Sequence, residues 1–193
     1  MNIILASASP RRKALMKKAG FRFRVEASDV SEECFIAHPA RRVEALALRK
    51  AKAVAARCKE GLVIGADTLV ILGSTILGKP ESPEAAYKML YRLSGSLHKV
   101  MTGVAIVNVM TGEEWVDSAQ SSVRMKKLPL GKLLALSRRH LDKAGAYAIQ
   151  EKNDPIAKVV KGSYENVVGL PIDLVKKMLA KAGQKRDNLR SKV

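Results

Sequence analysis

Residues 2–20 read NIILASASPRRKALMKKAG, and this stretch predicts how the fold begins. The short apolar run at residues 2–6 predicts a first strand. Ser9 suits the N-cap of a following helix, Pro10 suits its first position, and Gly20 suits its end. A strand that leads directly into a helix is typical of α/β proteins, so the opening residues favour that class.

The rest of the chain continues the alternation of strand and helix patterns. Two long strands around the Thr111-Gly112 turn form a hairpin, whereas other strands are joined through helices, which favours a mixed sheet. Helices are predicted at about residues 39–57, 82–95, 129–141 and 171–182, and strands at 62–66, 69–72, 99–109, 113–125, 146–150, 156–161 and 164–168.

Length and composition favour one globular domain. The chain has 193 residues and 47% hydrophobic content, which is enough to bury a core. We predict one domain over residues 1–183 and a flexible basic tail over 184–193. The chain contains no apolar run approaching the ~20 residues of a membrane span. The N-terminus resembles a strand and not a signal peptide, so the predicted location is the cytoplasm.

The net charge of +17 is high. It indicates either a solvated basic surface or an affinity for polyanions such as nucleotides, nucleic acid or acidic membranes. Residues 1–25 hold seven basic side chains and no acid. The chain has eight aromatic residues, with no evident stripe of interleaved basic and aromatic side chains, which argues against nucleic-acid binding.

The first turn of the first predicted helix contains Arg11, Arg12 and Lys13, where the helix dipole favours acids. This arrangement makes sense if an anion binds at the helix end, held by backbone N–H groups, the Ser7 and Ser9 hydroxyls and the arginines. The alternative is an ordinary capped helix with exposed arginines.

Four further residues are candidates for site chemistry. Lys50 lies on the apolar stripe of the second helix and either extends to solvent or points into a polar pocket. Asp67 follows an apolar run, as ligand-binding residues at the carboxyl ends of strands do, and it could bind a metal, act as a general base or belong to a turn. Lys79 could hold phosphate, and Glu32 in its acidic loop could help hold magnesium; each could equally be an ordinary loop residue.

At this point the motifs resemble those of the Maf family of nucleotide pyrophosphatases, over nearly all of residues 2–180. The matching segments are Ser7–Arg12, Leu46–Ala51, Gly65–Thr68, Gly78–Pro80, Leu93–Gly95, His98, Thr102–Gly103, Asp142–Tyr147, Gly162–Tyr164 and Val168–Pro171.

The resemblance implies an elongated mixed α/β fold like that of inosine triphosphate pyrophosphatases, with two lobes and a central cleft. It implies hydrolysis of a nucleoside triphosphate to the monophosphate and pyrophosphate, with a divalent cation (Mg, Mn or Co). It assigns Asp67 as the base that activates water and as a metal ligand with Glu32. Ser7, Arg11, Arg12, Lys50 and Lys79 would hold the phosphates. A homodimer is suggested by the family alone.

Substrate choice is implied by three positions. Arg12, Thr68 and Gln150 resemble the branch of the family that acts on dTTP and UTP. A glutamine amide can pair with O4 and N3–H of thymine or uracil, and a methyl group separates these two bases only weakly. Two alternatives remain open: the 7-methyl-GTP branch of the family, and a basic nucleic-acid-binding or septum-regulating protein.

Overall fold

The structure is a computed structural model that describes residues 2–149 and 156–190. The strands are β1 (Ile3–Leu5), β2 (Arg24–Val25), β3 (Leu62–Leu72), β4 (Thr75–Leu77), β5 (Leu97–Asn108), β6 (Glu114–Met125) and β7 (Ala157–Lys161). The helices are α1 (Pro10–Lys18), α2 (Pro39–Ala55), α3 (Pro83–Leu93), α4 (Leu130–Ser137), α5 (Tyr164–Val168) and α6 (Ile172–Arg190), with a 3₁₀ turn at Ala144–Ala146.

Over the described residues, seven strands form one mixed sheet in the order β2-β1-β3-β5-β6-β7, and β4 pairs antiparallel with β3. Strand β1 is parallel to both of its neighbours, so that Ile4 pairs with Arg24 on one side and Val63 on the other. Parallel neighbours need a crossover, and α1 and α2 supply it. Strands β6 and β7 are antiparallel. The predicted mixed α/β class is confirmed.

The chain divides into two compact units. The first unit comprises residues 1–67, 102–119 and 169–193, and the second comprises 68–101 and 120–168. The core of the first unit includes Ile4, Ala6, Ala47, Ala51, Val54, Val63, Ala105 and Val107. The core of the second unit includes Val70, Leu77, Leu90, Leu93, Val123, Met125, Leu133 and Leu136.

Most local predictions are confirmed. Helix α1 begins at Pro10 with Ser9 as its N-cap, and α3 begins at Pro83 with Ser82 as its N-cap. The predicted hairpin is formed by β5 and β6, which are neighbours in the sheet. The last helix extends to Arg190, beyond its predicted end near residue 182.

Two predicted strands, at residues 146–150 and 164–168, are wrong over the residues that the structure describes. Residues 164–168 form helix α5, because the Ser163 hydroxyl accepts a hydrogen bond from Asn166 N at 3.1 Å and starts a helical turn. Around 146–149 the chain has a 3₁₀ turn and no strand, since Gly145 has φ +72°. The short strands β2 and β4 were not predicted.

His98 in the second unit makes folding stability sensitive to acid. It is 2% exposed, and its Nε2 lies 2.7 Å from the Tyr147 hydroxyl oxygen. Its Nδ1 has no hydrogen-bond partner among the described residues. Burial lowers the pKa of His98 from 6.5 to about 4. Between pH 6.5 and about 4, His98 is therefore protonated in the unfolded chain but neutral in the folded chain.

We expect the free energy of unfolding to fall as the pH drops from 6.5 to about 4, by about 3 kcal/mol in total from this group. Urea unfolding of the wild type and of His98→Gln across this range measures the effect. The variant should be less stable at neutral pH but less sensitive to acid. Equal pH slopes in the two proteins would contradict the prediction.

Candidate functional site

The N-terminus of α1 gathers polar groups around a helix end that has no acid in its first turn. The Ser7 hydroxyl accepts hydrogen bonds from Ser9 N at 3.3 Å and from Arg12 Nη1 at 3.2 Å. Arg12 Nε donates to the Gly169 carbonyl at 2.8 Å. These bonds hold Arg12 against the strand-to-helix turn, where the helix dipole favours an anion.

The electrostatics of Arg12 connect this turn with two carboxylates of the same unit. Burial lowers the pKa of the Arg12 guanidinium, the nearby charges of Asp67 and Glu32 raise it, and Arg11 lowers it. Arginine remains protonated in proteins even so. The predicted cations Arg11 and Arg12 therefore share one electrostatic environment with the predicted carboxylates.

Two glycines allow α2 to lie directly on the sheet. A Cβ atom on Gly65 in β3 would lie 2.2 Å from the Ala47 carbonyl oxygen, and one on Gly103 in β5 would lie 2.4 Å from the Val43 carbonyl. Neither position could hold a side chain without moving the helix backbone. Because side chains alternate along a strand, Asp67 is on the same face of β3 as Gly65 and faces the same helix.

This close packing brings Lys50 to Asp67. Lys50 Nζ lies 2.7 Å from Asp67 Oδ1 and 2.8 Å from Glu32 Oε1. The Lys50 and Asp67 side chains are only 9% and 10% exposed, whereas Glu32 is 46% exposed. Lys50 thus points into a polar pocket and does not extend to solvent. Its partners are the two carboxylates; a phosphate contact stays a prediction.

Asp67 differs from its predicted placement. It lies in the middle of β3 and not at the carboxyl end of a strand, because the runs at 62–66 and 69–72 form one continuous strand. The interpretation of Asp67 as a turn residue is therefore wrong. A buried carboxylate within a strand needs a partner, and Lys50 supplies it.

Sequence reasoning missed the residue that places Glu32. Arg49 Nη1 donates to the carbonyl oxygens of Ser31 at 2.9 Å and Glu33 at 2.8 Å. This clamp holds the loop backbone on both sides of Glu32, so that its carboxylate meets Lys50. The sequence offered one indication of this contact. Arg49 directly precedes Lys50, so the two cations lie at nearly the same height along α2.

Three further predicted residues complete the set. Thr68 and Lys79 belong to the second unit, and Gln150 lies outside the described residues, so their roles stay predictions. No group of three or more His, Cys, Asp or Glu residues suited to a metal occurs in the described part of the chain. Over the same residues, no helix combines the length and apolar character that a membrane span needs.

The Lys50–Asp67 pair predicts a strong coupling in stability. Lys50→Met leaves a buried carboxylate without its cation, and we expect a loss of about 3–5 kcal/mol in unfolding free energy. Adding Asp67→Asn to Lys50→Met should restore part of that loss, because the unpaired charge is gone. Urea unfolding of both single variants and the double variant measures the coupling. Additive losses would contradict a direct ion pair.

This chain is similar to known proteins over most of its length. A model of the Maf-like protein family matches residues 2–182. The dTTP/UTP pyrophosphatase of Moorella thermoacetica is 46% identical over 182 residues, which cover 92% of this chain and 93% of the relative. The dTTP/UTP pyrophosphatase of Thermotoga maritima is 46% identical over 187 residues, which cover 95% of this chain and 90% of the relative.

Among solved structures, the Staphylococcus aureus Ham1 protein matches with a TM-score of 0.55 at 17% identity. The match covers 94% of this chain and 100% of that chain. At this level of identity the likeness supports the mixed α/β fold alone.

Proposed function

This chain belongs to the Maf family, and we propose that it hydrolyses dTTP and UTP to the monophosphate and pyrophosphate. The observation that carries the proposal is the buried Lys50–Asp67 pair, with Glu32 beside it, in the electrostatic environment of Arg12. Cations for a polyphosphate and carboxylates for a metal and a water are the groups that phosphoanhydride hydrolysis needs. The activity of the curated relatives supports the same reaction.

In the proposed reaction the phosphates lie at the N-terminus of α1. Ser7, Arg11 and Arg12 offer hydroxyl and guanidinium donors there, and Lys50 adds an ammonium. Asp67 accepts a proton from the attacking water, the water oxygen bonds to phosphorus, and the α–β phosphoanhydride bond breaks. Pyrophosphate leaves, and the nucleoside monophosphate is the second product. Lys79 as a further phosphate ligand stays a prediction from the family resemblance.

The carboxylates fit a divalent metal that is shared with the substrate. Glu32 and Asp67 each direct an oxygen to the same ammonium, so the two acids converge on one point. Magnesium is usually held by one or two carboxylates together with substrate phosphates and water. Glu32 and Asp67 would hold the ion, which would neutralise charge on the phosphates. Oxygen ligands also suit manganese.

Base selection is the less direct part of the proposal. Arg12, Thr68 and Gln150 are the three positions that the resemblance connects with pyrimidine substrates. Arg12 is anchored by Ser7 and Gly169, so it can join phosphate binding to base selection from one fixed position. A site that accepts thymine and uracil should discriminate weakly between them, since a methyl group changes binding by only about 1–3 kcal/mol.

A nucleotide panel tests the proposal. We expect pyrophosphate release from dTTP and UTP in the presence of magnesium, manganese or cobalt, and loss of that release when the metal is removed by chelation. Preferential hydrolysis of 7-methyl-GTP would move the chain to the other branch. An absence of turnover with every nucleotide and metal, in a folded preparation, would overturn the proposed activity.

A further inference from the structure

The first unit contains a pocket that shares no residue with the proposed catalytic cluster. Its volume is about 420 Å³, within the roughly 300–1,000 Å³ common for ligand sites. Its lining consists of three cations, two aromatic side chains and one aliphatic side chain: Lys13, Lys17, Arg22, Phe21, Phe23 and Val25. We call it the basic–aromatic pocket.

The three cations surround the pocket without carboxylate partners. Lys13 and Lys17 are one turn apart on the same face of α1, and Arg22 follows the end of that helix. None of the three makes an ion pair within the described ranges, whereas the neighbouring Arg24 is paired with Glu26. Lys17 has a local explanation, because cations favour a helix C-terminus. That explanation does not cover Lys13 or Arg22, and three like charges around one pocket favour an anion.

The two aromatic side chains add a second recognition element. Phe21 and Phe23 line the pocket and are only half-buried, so that part of each ring remains accessible. They alternate with Arg22 and Arg24 along the chain. Residues 21–24 therefore interleave aromatic and basic side chains, and the prediction that the chain has no such stripe is wrong at this place. Stacking surfaces next to cations are how proteins bind unpaired bases and their phosphates.

We propose that the basic–aromatic pocket binds a segment of single-stranded nucleic acid. Three observations favour a strand over a free nucleotide. A further cation, the exposed Lys18, lies beyond the pocket on α1, residues 1–25 contain no acid, and the net charge is +17. These features match a polyanion that extends past one pocket. A duplex fits less well, because its bases are stacked inside and cannot reach Phe21 and Phe23.

Fluorescence anisotropy with a labelled single-stranded oligodeoxyadenylate of about twelve nucleotides tests the proposal. Adenine is used because the proposed substrates are pyrimidine nucleotides. We expect binding that weakens with salt, with a logarithmic slope of about −0.7 for each contacted phosphate. The double variant Lys17→Glu/Arg22→Glu should bind at least about tenfold more weakly and show a smaller slope. Phe23→Leu keeps the charge and an apolar side chain, and should weaken binding about tenfold through lost stacking.

The matched control is Lys88→Glu/Lys176→Glu, which makes the same charge change at exposed positions that do not line the pocket. It should retain near wild-type affinity, and all variants should keep dTTP hydrolysis and the wild-type melting temperature. Equal loss in the control, or no effect of Phe23→Leu, would show that only diffuse charge binds DNA and would overturn the proposal. Displacement of the oligonucleotide by an equal concentration of adenosine monophosphate would identify a mononucleotide site and would also overturn it.

Discussion

Replacing Asp67 with asparagine is expected to lower the turnover of dTTP by about 100- to 10,000-fold, the range typical of losing a general base. Asparagine has nearly the same shape, and its amide oxygen can still accept a hydrogen bond from Lys50, which lies 2.7 Å from Asp67 Oδ1 in the wild type. The fold should therefore persist while the proton acceptor is lost. At saturating metal KM should not rise, because Lys50 also loses a counter-charge and remains available to the phosphates. Continuous detection of pyrophosphate gives both constants.

The matched control for this variant is Asp117→Asn. Asp117 is exposed on β6, and its carboxylate accepts from Ser118 N at 2.8 Å, a contact that an asparagine oxygen can also make. Activity of this control should equal that of the wild type. Metal titration then separates two roles of Asp67. If Asp67 only holds metal, saturating manganese should restore turnover of Asp67→Asn, and such recovery would argue against the role of base.

The start of the chain shows which features the sequence could predict. The N-cap at Ser9, the first helical position at Pro10 and the preceding strand depend on neighbouring residues, so local rules are sufficient. The same holds for the α3 N-cap at Ser82. At residues 164–168 two local rules compete, because the apolar residues fit a strand pattern whereas Ser163 is an N-cap, and the cap decides for a helix.

The Lys50–Asp67–Glu32 cluster shows what the sequence could not predict. The family motifs pointed to each of these residues, but they did not predict the ion pairs between them. Those pairs depend on the height of α2 above the sheet, which no local pattern encodes. The two glycines that set this height, Gly65 and Gly103, lie on different strands and meet the helix only in the folded chain.

Gly65→Ala is expected to lower the free energy of unfolding by about 3 kcal/mol, near the upper end for overpacking. The added methyl carbon would lie 2.2 Å from the Ala47 carbonyl oxygen and 2.8 Å from Ala51 N. Both are backbone atoms in the middle of α2, so no side-chain rotation relieves the clash. The helix must move away from β3, and urea unfolding measures the cost.

The same movement should reduce catalysis, since Lys50 lies on α2 and Asp67 on β3. We expect dTTP turnover at a temperature where Gly65→Ala is folded to fall well below that of the wild type. The control is Gly131→Ala in α4, where an added Cβ has nothing within 4 Å. That variant should be stabilised by up to about 1 kcal/mol with unchanged turnover, because alanine is the better helix former. If Gly65→Ala matched the wild type in both unfolding free energy and dTTP turnover, close packing of α2 would not be what holds Lys50 against Asp67.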